Sequence, residues 1–227
     1  MENGIGQRLE EVRQRIAQAC ERSSRLPEDV RLVCVSKTFP AEDIQQAIDA
    51  GQLCFGESRL QEAQPKVEAL QQGLDWHFIG RVQRNKVRKI LPLFGTIHGI
   101  DSMKLAHYTD RIAGELGLRP KVFLQVNIGC EESKGGFDPA ELPELVGKLA
   151  GLDHLEILGL MCIPPNEDDI SAVRSWFVQM RQLRDSLAAP GLELAQLSMG
   201  MSGDYEIAIE EGATQVRVGS GIFGSRD

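Results

Sequence analysis

A lysine follows a buried strand near the start of the sequence. Residues 32–35 (LVCV) are apolar, as expected for a strand inside a core, and Lys37 comes two positions later. Such a lysine is either a surface residue whose ammonium snorkels into water or a reactive amine at the rim of the core. In the second case, partial desolvation lowers the pKa of the amine and makes the neutral nucleophile accessible.

Two segments rich in glycine and serine near the end of the chain could bind an anion. They are SMGMSGD at 198–204 and VGSGIFG at 218–224. Small residues let backbone N–H groups approach a phosphate, and serine hydroxyls add hydrogen bonds. One segment alone is typical of an ordinary glycine turn, whereas the two together favour a phosphate site. Arg217 precedes Gly219 by two residues and therefore lies on the same side of a regular strand.

Strands and helices alternate along the chain, which predicts a parallel sheet. Strands are expected at 32–35, 53–58, 76–80, 95–100, 121–128, 155–163, 192–200 and 214–224. Helices are expected at 40–51, 59–73 (bent or interrupted at Pro65), 82–92, 102–117, 138–151, 169–188 and 204–212, after an amphipathic helix within residues 1–25.

Eight such units fit one α/β domain over residues 1–227, a compact (β/α)8 TIM barrel near the lower size limit of about 200 residues. The alternative is an open doubly wound sheet, but the first strand lacks the G-x-G-x-x-G of a dinucleotide fold. Active sites of such barrels lie at the carboxyl ends of the strands. Because strand eight closes against strand one, Lys37 and the two glycine-rich segments become neighbours there.

The composition predicts a soluble cytoplasmic protein. Its net charge of −8 argues against binding to nucleic acid or anionic membranes. No apolar run approaches the ~20 residues that span a bilayer, and residues 1–16 lack the apolar centre of a signal peptide. Cys34, Cys54 and Cys162 lie in apolar segments and favour buried free thiols. The four histidines lack zinc-site spacing, so structural roles are expected for them.

An amine, a phosphate site and a nearby arginine are the parts of a site for pyridoxal 5′-phosphate (PLP). The sequence resembles the YggS / pyridoxal phosphate homeostasis protein family, which includes PipY-like members. The matching segments are VCVSKT, FGESRLQEA, WHFIGRVQRNK, VNIG with SKGGF, GLMCIPP and LSMGMSGDYEIAIEEGATQVRVGSGIFG. The resemblance implies a barrel like the N-terminal domain of alanine racemase, with PLP held as an imine on Lys37.

The resemblance also implies which residues bind the cofactor. Ser202, Gly219 and Ser220 would hold the phosphate, Arg217 would meet the pyridine nitrogen, and Met161 would lie near the ring. Ser198 would line the same wall. Ser58 stands where the family usually has asparagine and offers fewer hydrogen-bonding groups.

Two functions remain open for such a protein. An amino-acid racemase needs an acid or base on each face of the reacting carbon, and Lys37 serves one face. Alanine racemases use a tyrosine of a second domain for the other face. This sequence would lack that domain, and its only tyrosines, Tyr108 and Tyr205, fall in predicted helices.

The expected function is therefore a PLP carrier or regulator in vitamin B6 and amino-acid homeostasis, without robust catalysis. A monomer is expected, with PLP-dependent apo-enzymes or a regulatory protein as partners. A sugar- or nucleotide-phosphate enzyme without PLP is a third interpretation. The basic segment 81–89 is either a docking patch or a solvated helix, and Lys134 is either a second, transient imine partner or an exposed lysine.

Overall fold

The computed structural model of the protein describes residues 4–187 and 190–224. Eight parallel strands form a closed barrel in chain order, and β1 pairs with both β2 and β8. The strands are β1 (Arg31–Val35), β2 (Cys54–Glu57), β3 (Asp75–Phe78), β4 (Thr96–Ile100), β5 (Lys121–Val126), β6 (Glu156–Cys162), β7 (Gln196–Met201) and β8 (Gln215–Val218). The predicted (β/α)8 barrel is confirmed, and the open sheet is excluded.

Helices surround this barrel. They are α1 (Ile5–Arg22), α2 (Ala41–Asp49), α3 (Leu60–Ala69), α4 (Val87–Ile90), α5 (Met103–Leu116), α6 (Leu142–Ala150), α7 (Ile170–Ser186), α8 (Tyr205–Glu210) and α9 (Ser220–Phe223). The boundaries of α5 follow from local chemistry, since Ser102 accepts a hydrogen bond from the Leu105 N–H and Gly117 ends the helix in a left-handed conformation. Among the described residues, no helix combines the length and apolar character that crossing a membrane requires.

Several predicted boundaries are wrong. The segment 82–92 forms a 3-10 turn and the single turn of α4 in place of one continuous helix. Pro65 lies within α3 without interrupting it. The seventh strand begins at Gln196, where pairing with β6 begins, and the last strand ends at Val218, after which α9 forms. Of the predicted helix 169–188, residue 188 lies outside the described part.

Helix α1 lies beside the seam where β8 meets β1. Its apolar face packs against α2, α8 and α9. The Arg8 Nε donates to the carbonyl of Ile222 in α9 at 2.6 Å, and Arg25, just beyond the end of α1, donates to the carbonyls of Ile209 and Ala213. The N-terminal helix thus holds the elements that follow both the first and the last strand, which carry the predicted site.

Candidate functional site

A cavity of about 570 Å³ opens at the carboxyl ends of β1, β7 and β8. Five of the predicted site residues line it: Lys37, Ser202, Arg217, Gly219 and Ser220. Its volume lies within the range of about 300–1,000 Å³ that is usual for small-molecule sites. Closure of the barrel between β8 and β1 brings these residues together, as the topology predicts.

Lys37 stands on a tight turn directly after the barrel wall. The preceding residue, Ser36, is buried, and its N–H donates to the Gly56 carbonyl at 3.1 Å. The Phe39 N–H donates back to the Ser36 carbonyl at 3.1 Å. Between them, Thr38 has φ of +72°, a conformation that is rare and costly for a β-branched residue. The half-buried Lys37 side chain therefore extends from a turn whose backbone is held by hydrogen bonds.

A buried ion pair, which sequence reasoning missed, stabilises the turn that carries Lys37. Lys66 Nζ lies 2.7 Å from Glu57 Oε1 and donates to the Ser36 carbonyl at 3.0 Å. The Ser36 hydroxyl donates to the same Glu57 oxygen at 2.7 Å. Glu57 is fully buried, and its Oε2 has no hydrogen-bond partner among the described atoms. An acid at the end of an apolar strand, with a lysine nine residues later, was the available signal.

Arg217 brings a buried positive charge to the cavity. Its Nη1 donates to the carbonyl and the hydroxyl of Ser198 at 2.9 and 2.6 Å, and its Nη2 donates to the Cys162 carbonyl at 2.9 Å. Burial lowers the pKa of the guanidinium from its ordinary value. All three acceptors are neutral, and none of the described carboxylates forms an ion pair with Arg217. The guanidinium charge is therefore not neutralised by an ion pair within the described residues, and it suits a ligand with a hydrogen-bond acceptor or an anionic group.

The loops after β7 and β8 are joined at the cavity. The Gly219 N–H donates to Ser202 Oγ at 3.1 Å, so the hydroxyl proton of Ser202 stays able to donate to a ligand. A Cβ at Gly219 would lie 3.2 Å from the Val35 carbonyl oxygen, tighter than most real contacts. The close approach of the two strands thus favours glycine at the position where the backbone borders the cavity.

Other predicted site residues lie elsewhere. Met161 in β6 and Ser198 in β7 are buried, and neither is among the residues described as lining the cavity. The Ser198 hydroxyl accepts from Arg217, which does line it, so Ser198 stays a predicted site residue that would act through Arg217. Ser58 is also absent from the residues described as lining the cavity.

The two undecided basic features engage other parts of the chain. Lys134 donates to the Pro164 carbonyl at 3.0 Å and pairs with Glu131. In the basic segment, Arg84 stacks over the Tyr108 ring, 4.8 Å from its centroid, and Arg88 pairs with a glutamate of α5. Contacts with α5 thus account for two of the basic side chains of segment 81–89.

Comparison with known proteins establishes the family. The model of the alanine racemase N-terminal domain matches residues 8–227. A pyridoxal phosphate homeostasis protein of Aquifex aeolicus (strain VF5) is 43% identical over 222 residues, which cover 97% of both chains. This chain belongs to the pyridoxal phosphate homeostasis protein family. A member from Escherichia coli (strain K12) is 43% identical over 235 residues, covering 99% of this chain and 98% of its own.

Solved structures agree with this family and with the fold. PipY of Synechococcus elongatus PCC7942 without PLP is 44% identical, with a TM-score of 0.85 over 93% of this chain and 99% of its own. PipY with PLP bound gives 42% identity and a TM-score of 0.81 over 92% of this chain and 100% of its own. An alanine racemase of Clostridium difficile 630, 16% identical with a TM-score of 0.74, shares the fold over 94% of this chain and 55% of its own.

Proposed function

We propose that this protein binds PLP in the cavity at the carboxyl ends of β1, β7 and β8, attached through Lys37. It holds the cofactor as a carrier or regulator in vitamin B6 homeostasis. The observation that carries this proposal is the convergence of Lys37, Arg217 and the two glycine- and serine-rich loops on one cavity. The names of the relatives and the PLP-bound structure of PipY support it.

The donors of the cavity match the groups of PLP. The amine of Lys37 suits the aldehyde, and the Ser202 hydroxyl with the loop at Gly219 and Ser220 suits the phosphate. Arg217 suits the pyridine nitrogen, to which a guanidinium only donates. When bound, PLP supplies an aldehyde that condenses with amines and a ring that withdraws electrons.

Two features favour a carrier over a racemase. Arginine only donates, so a ring nitrogen that accepts from Arg217 carries no proton of its own and withdraws electrons more weakly than one facing a carboxylate. A racemase also needs a group on the second face of the reacting carbon. Neither tyrosine lines the described cavity: Tyr108 packs beneath Arg84, and Tyr205 is buried at the start of α8.

Two apolar side chains at the cavity mouth reach solvent. Ile163 and Met201 line it and keep 41% and 36% of their surface exposed. The acceptors that we propose are apo-enzymes that require PLP, or a regulatory protein that responds to its presence. An exposed apolar rim is compatible with contact to either kind of partner.

Borohydride reduction tests the attachment. The protein is incubated with PLP, reduced and mapped by peptide mass, and the pyridoxyl group is expected on the peptide that contains Lys37. Lys37→Ala should lose the modification, while the matched control Lys134→Ala should keep it. Modification of Lys134 alone, or absence of bound PLP in the wild-type protein, would refute the proposal.

Deuterium exchange at the α-carbon of L-amino acids tests the absence of robust catalysis. We expect no exchange above the rate given by free PLP. An exchange that is stereospecific, depends on the protein and disappears in Lys37→Ala would establish a racemase instead.

A further inference from the structure

A column of hydrogen bonds runs through the inside of the barrel, from the cavity to the opposite mouth. Arg217 Nη1 lies 2.6 Å from Ser198 Oγ, which lies 2.9 Å from His98 Nδ1. His98 Nε2 lies 2.9 Å from His77 Nδ1. His77 Nε2 lies 3.1 Å from Asp75 Oδ2, at the amino end of β3. Both histidines are fully buried.

The two ends of this column determine the direction of every bond in it. Arg217 can only donate. At the other end, the hydrogen bond from His77 lowers the pKa of Asp75, so this carboxylate is ionised and only accepts. With neutral imidazoles, each group between them therefore accepts from the Arg217 side and donates toward Asp75. This places a proton on Nε2 of both histidines and points the Ser198 hydroxyl at His98 Nδ1.

The surroundings keep the upper imidazole neutral. Burial lowers the pKa of His98 well below its ordinary value, and the positive charge of Arg217 acts in the same direction. The Phe123 ring packs against His98 with a centroid distance of 4.7 Å. At the lower end, Cys54 Sγ lies 3.5 Å from His77 Nε2, and Arg31 pairs with Asp75.

Protonation of the lower histidine would disturb the column as far as the arginine. An added proton on His77 Nδ1 would point at His98 Nε2, which would have to lose its own proton and gain one on Nδ1. His98 would then donate to the Ser198 hydroxyl, which already accepts from Arg217. The hydroxyl proton would lose its acceptor in the column. The neutral arrangement is thus the one that satisfies all of these buried groups.

We infer that His98 and His77 are positioning residues for Arg217. By accepting the hydroxyl proton of Ser198, His98 turns the oxygen lone pairs toward the guanidinium, and His77 and Asp75 hold His98 in the tautomer that does so. The column thereby fixes the guanidinium that borders the cavity. The effect of the column on PLP binding rests on the proposed function, whereas the histidine tautomers and the restricted rotation of the Arg217 guanidinium do not.

A metal site at the lower end is the competing interpretation. Cys54, Asp75 and His77 each offer a ligand atom, and these atoms lie within 4.8 Å of one another. However, the guanidinium of Arg31 already lies 2.5 Å from Asp75 Oδ2 and would repel a cation there. The burial of Cys54 also raises the pKa of its thiol to about 12, which disfavours the thiolate that a metal requires.

Nitrogen NMR of the protein without PLP tests the column directly. Both histidines should carry the proton on Nε2 at neutral pH, and the two Nη atoms of Arg217 should give separate signals because its rotation is hindered. In His98→Phe these two signals should exchange faster, while the Ser198 and Cys162 carbonyls still accept from the guanidinium. A proton on Nδ1 of His98, or averaged Nη signals in the wild-type protein, would overturn the inference even if His98→Phe does not fold.

Ligand binding provides the second readout. His98→Phe keeps a ring beside Phe123 but removes both nitrogens, and PLP binding should weaken about tenfold. His98→Gln retains a donor and an acceptor and should recover part of the loss, while His107→Phe, at an exposed histidine, is the matched control.

An analogue of PLP with carbon in place of the ring nitrogen separates the outcomes. Its affinity should be unchanged in His98→Phe, because it makes no hydrogen bond with Arg217. Equal weakening of PLP and this analogue would show a general packing defect and refute the positioning role. If the wild-type protein binds no PLP, the proposed function fails, and the NMR measurement alone decides the inference.

Discussion

The ion pair of Lys66 and Glu57 allows a sharp test of what holds the turn before Lys37. We expect Lys66→Met to destabilise the fold strongly, since the exposed fractions of the two side chains are only 10% and 0%. The substitution leaves the Glu57 carboxylate buried with the Ser36 hydroxyl as its remaining partner. It also removes the donor to the Ser36 carbonyl.

The expected magnitude follows from the burial of this pair. Removing one partner of a buried ion pair costs about 3–5 kcal/mol, because an uncompensated charge remains. For a chain of this size that corresponds to a fall in Tm of about 6–20 °C. Replacing both partners by apolar residues of similar size is often neutral. Lys66→Met combined with Glu57→Leu should therefore recover most of the loss.

Urea and thermal unfolding of the two single variants and the double variant measure this coupling. Arg59→Met, which removes the exposed partner of Glu62 on the same helix, is the control and should cost less than about 1 kcal/mol. The reasoning is wrong if Lys66→Met costs no more than this control. It is also wrong if the double variant is as unstable as the sum of the single ones.

Two further predictions concern the cavity and the buried thiols. Ser202→Ala should weaken PLP binding about tenfold or more, because a hydrogen bond to a charged group is lost. Pyridoxal, which lacks the phosphate, should bind the variant and the wild-type protein equally well. Equal losses of affinity for both ligands in a titration would contradict the assignment of Ser202 to the phosphate. Burial raises the pKa of the Cys54 and Cys162 thiols from 9.0 to about 12. As the pH rises, the unfolded chain releases these thiol protons before the folded protein does. The contribution of the protonated thiols to the free energy of unfolding is therefore complete below pH 9 and falls as the pH rises toward 12. The loss reaches up to about 1.4 kcal/mol per thiol and pH unit. Urea unfolding as a function of pH should show a shallower loss for Cys162→Ala and an unchanged loss for the exposed control Cys130→Ala, and identical slopes for both variants would refute this.

Much of the fold could be predicted from the sequence because its signals are local. The apolar run before Lys37 and the alternation of strand and helix patterns predict a parallel barrel without any knowledge of contacts. Topology then places the first strand beside the last, so Lys37, Ser202 and Gly219 could be assigned to one mouth. The reliance on local signals also explains the wrong boundaries around α4 and α9. Each of these helices is a single turn, and such a short helix forms only through packing against the rest of the protein.

Only the tertiary structure decided what lies beneath that mouth. Ser198 was expected near the cofactor, but nothing in the sequence indicated its hydrogen bonds to Arg217 and to His98, which is 100 residues away in the chain. His77 and His98 appeared as scattered structural histidines, although they form one buried pair. Such contacts depend on the register of strands that meet across the closed barrel. No periodicity within one strand encodes that register, so hydrogen bonds between distant strands emerge only when the barrel closes.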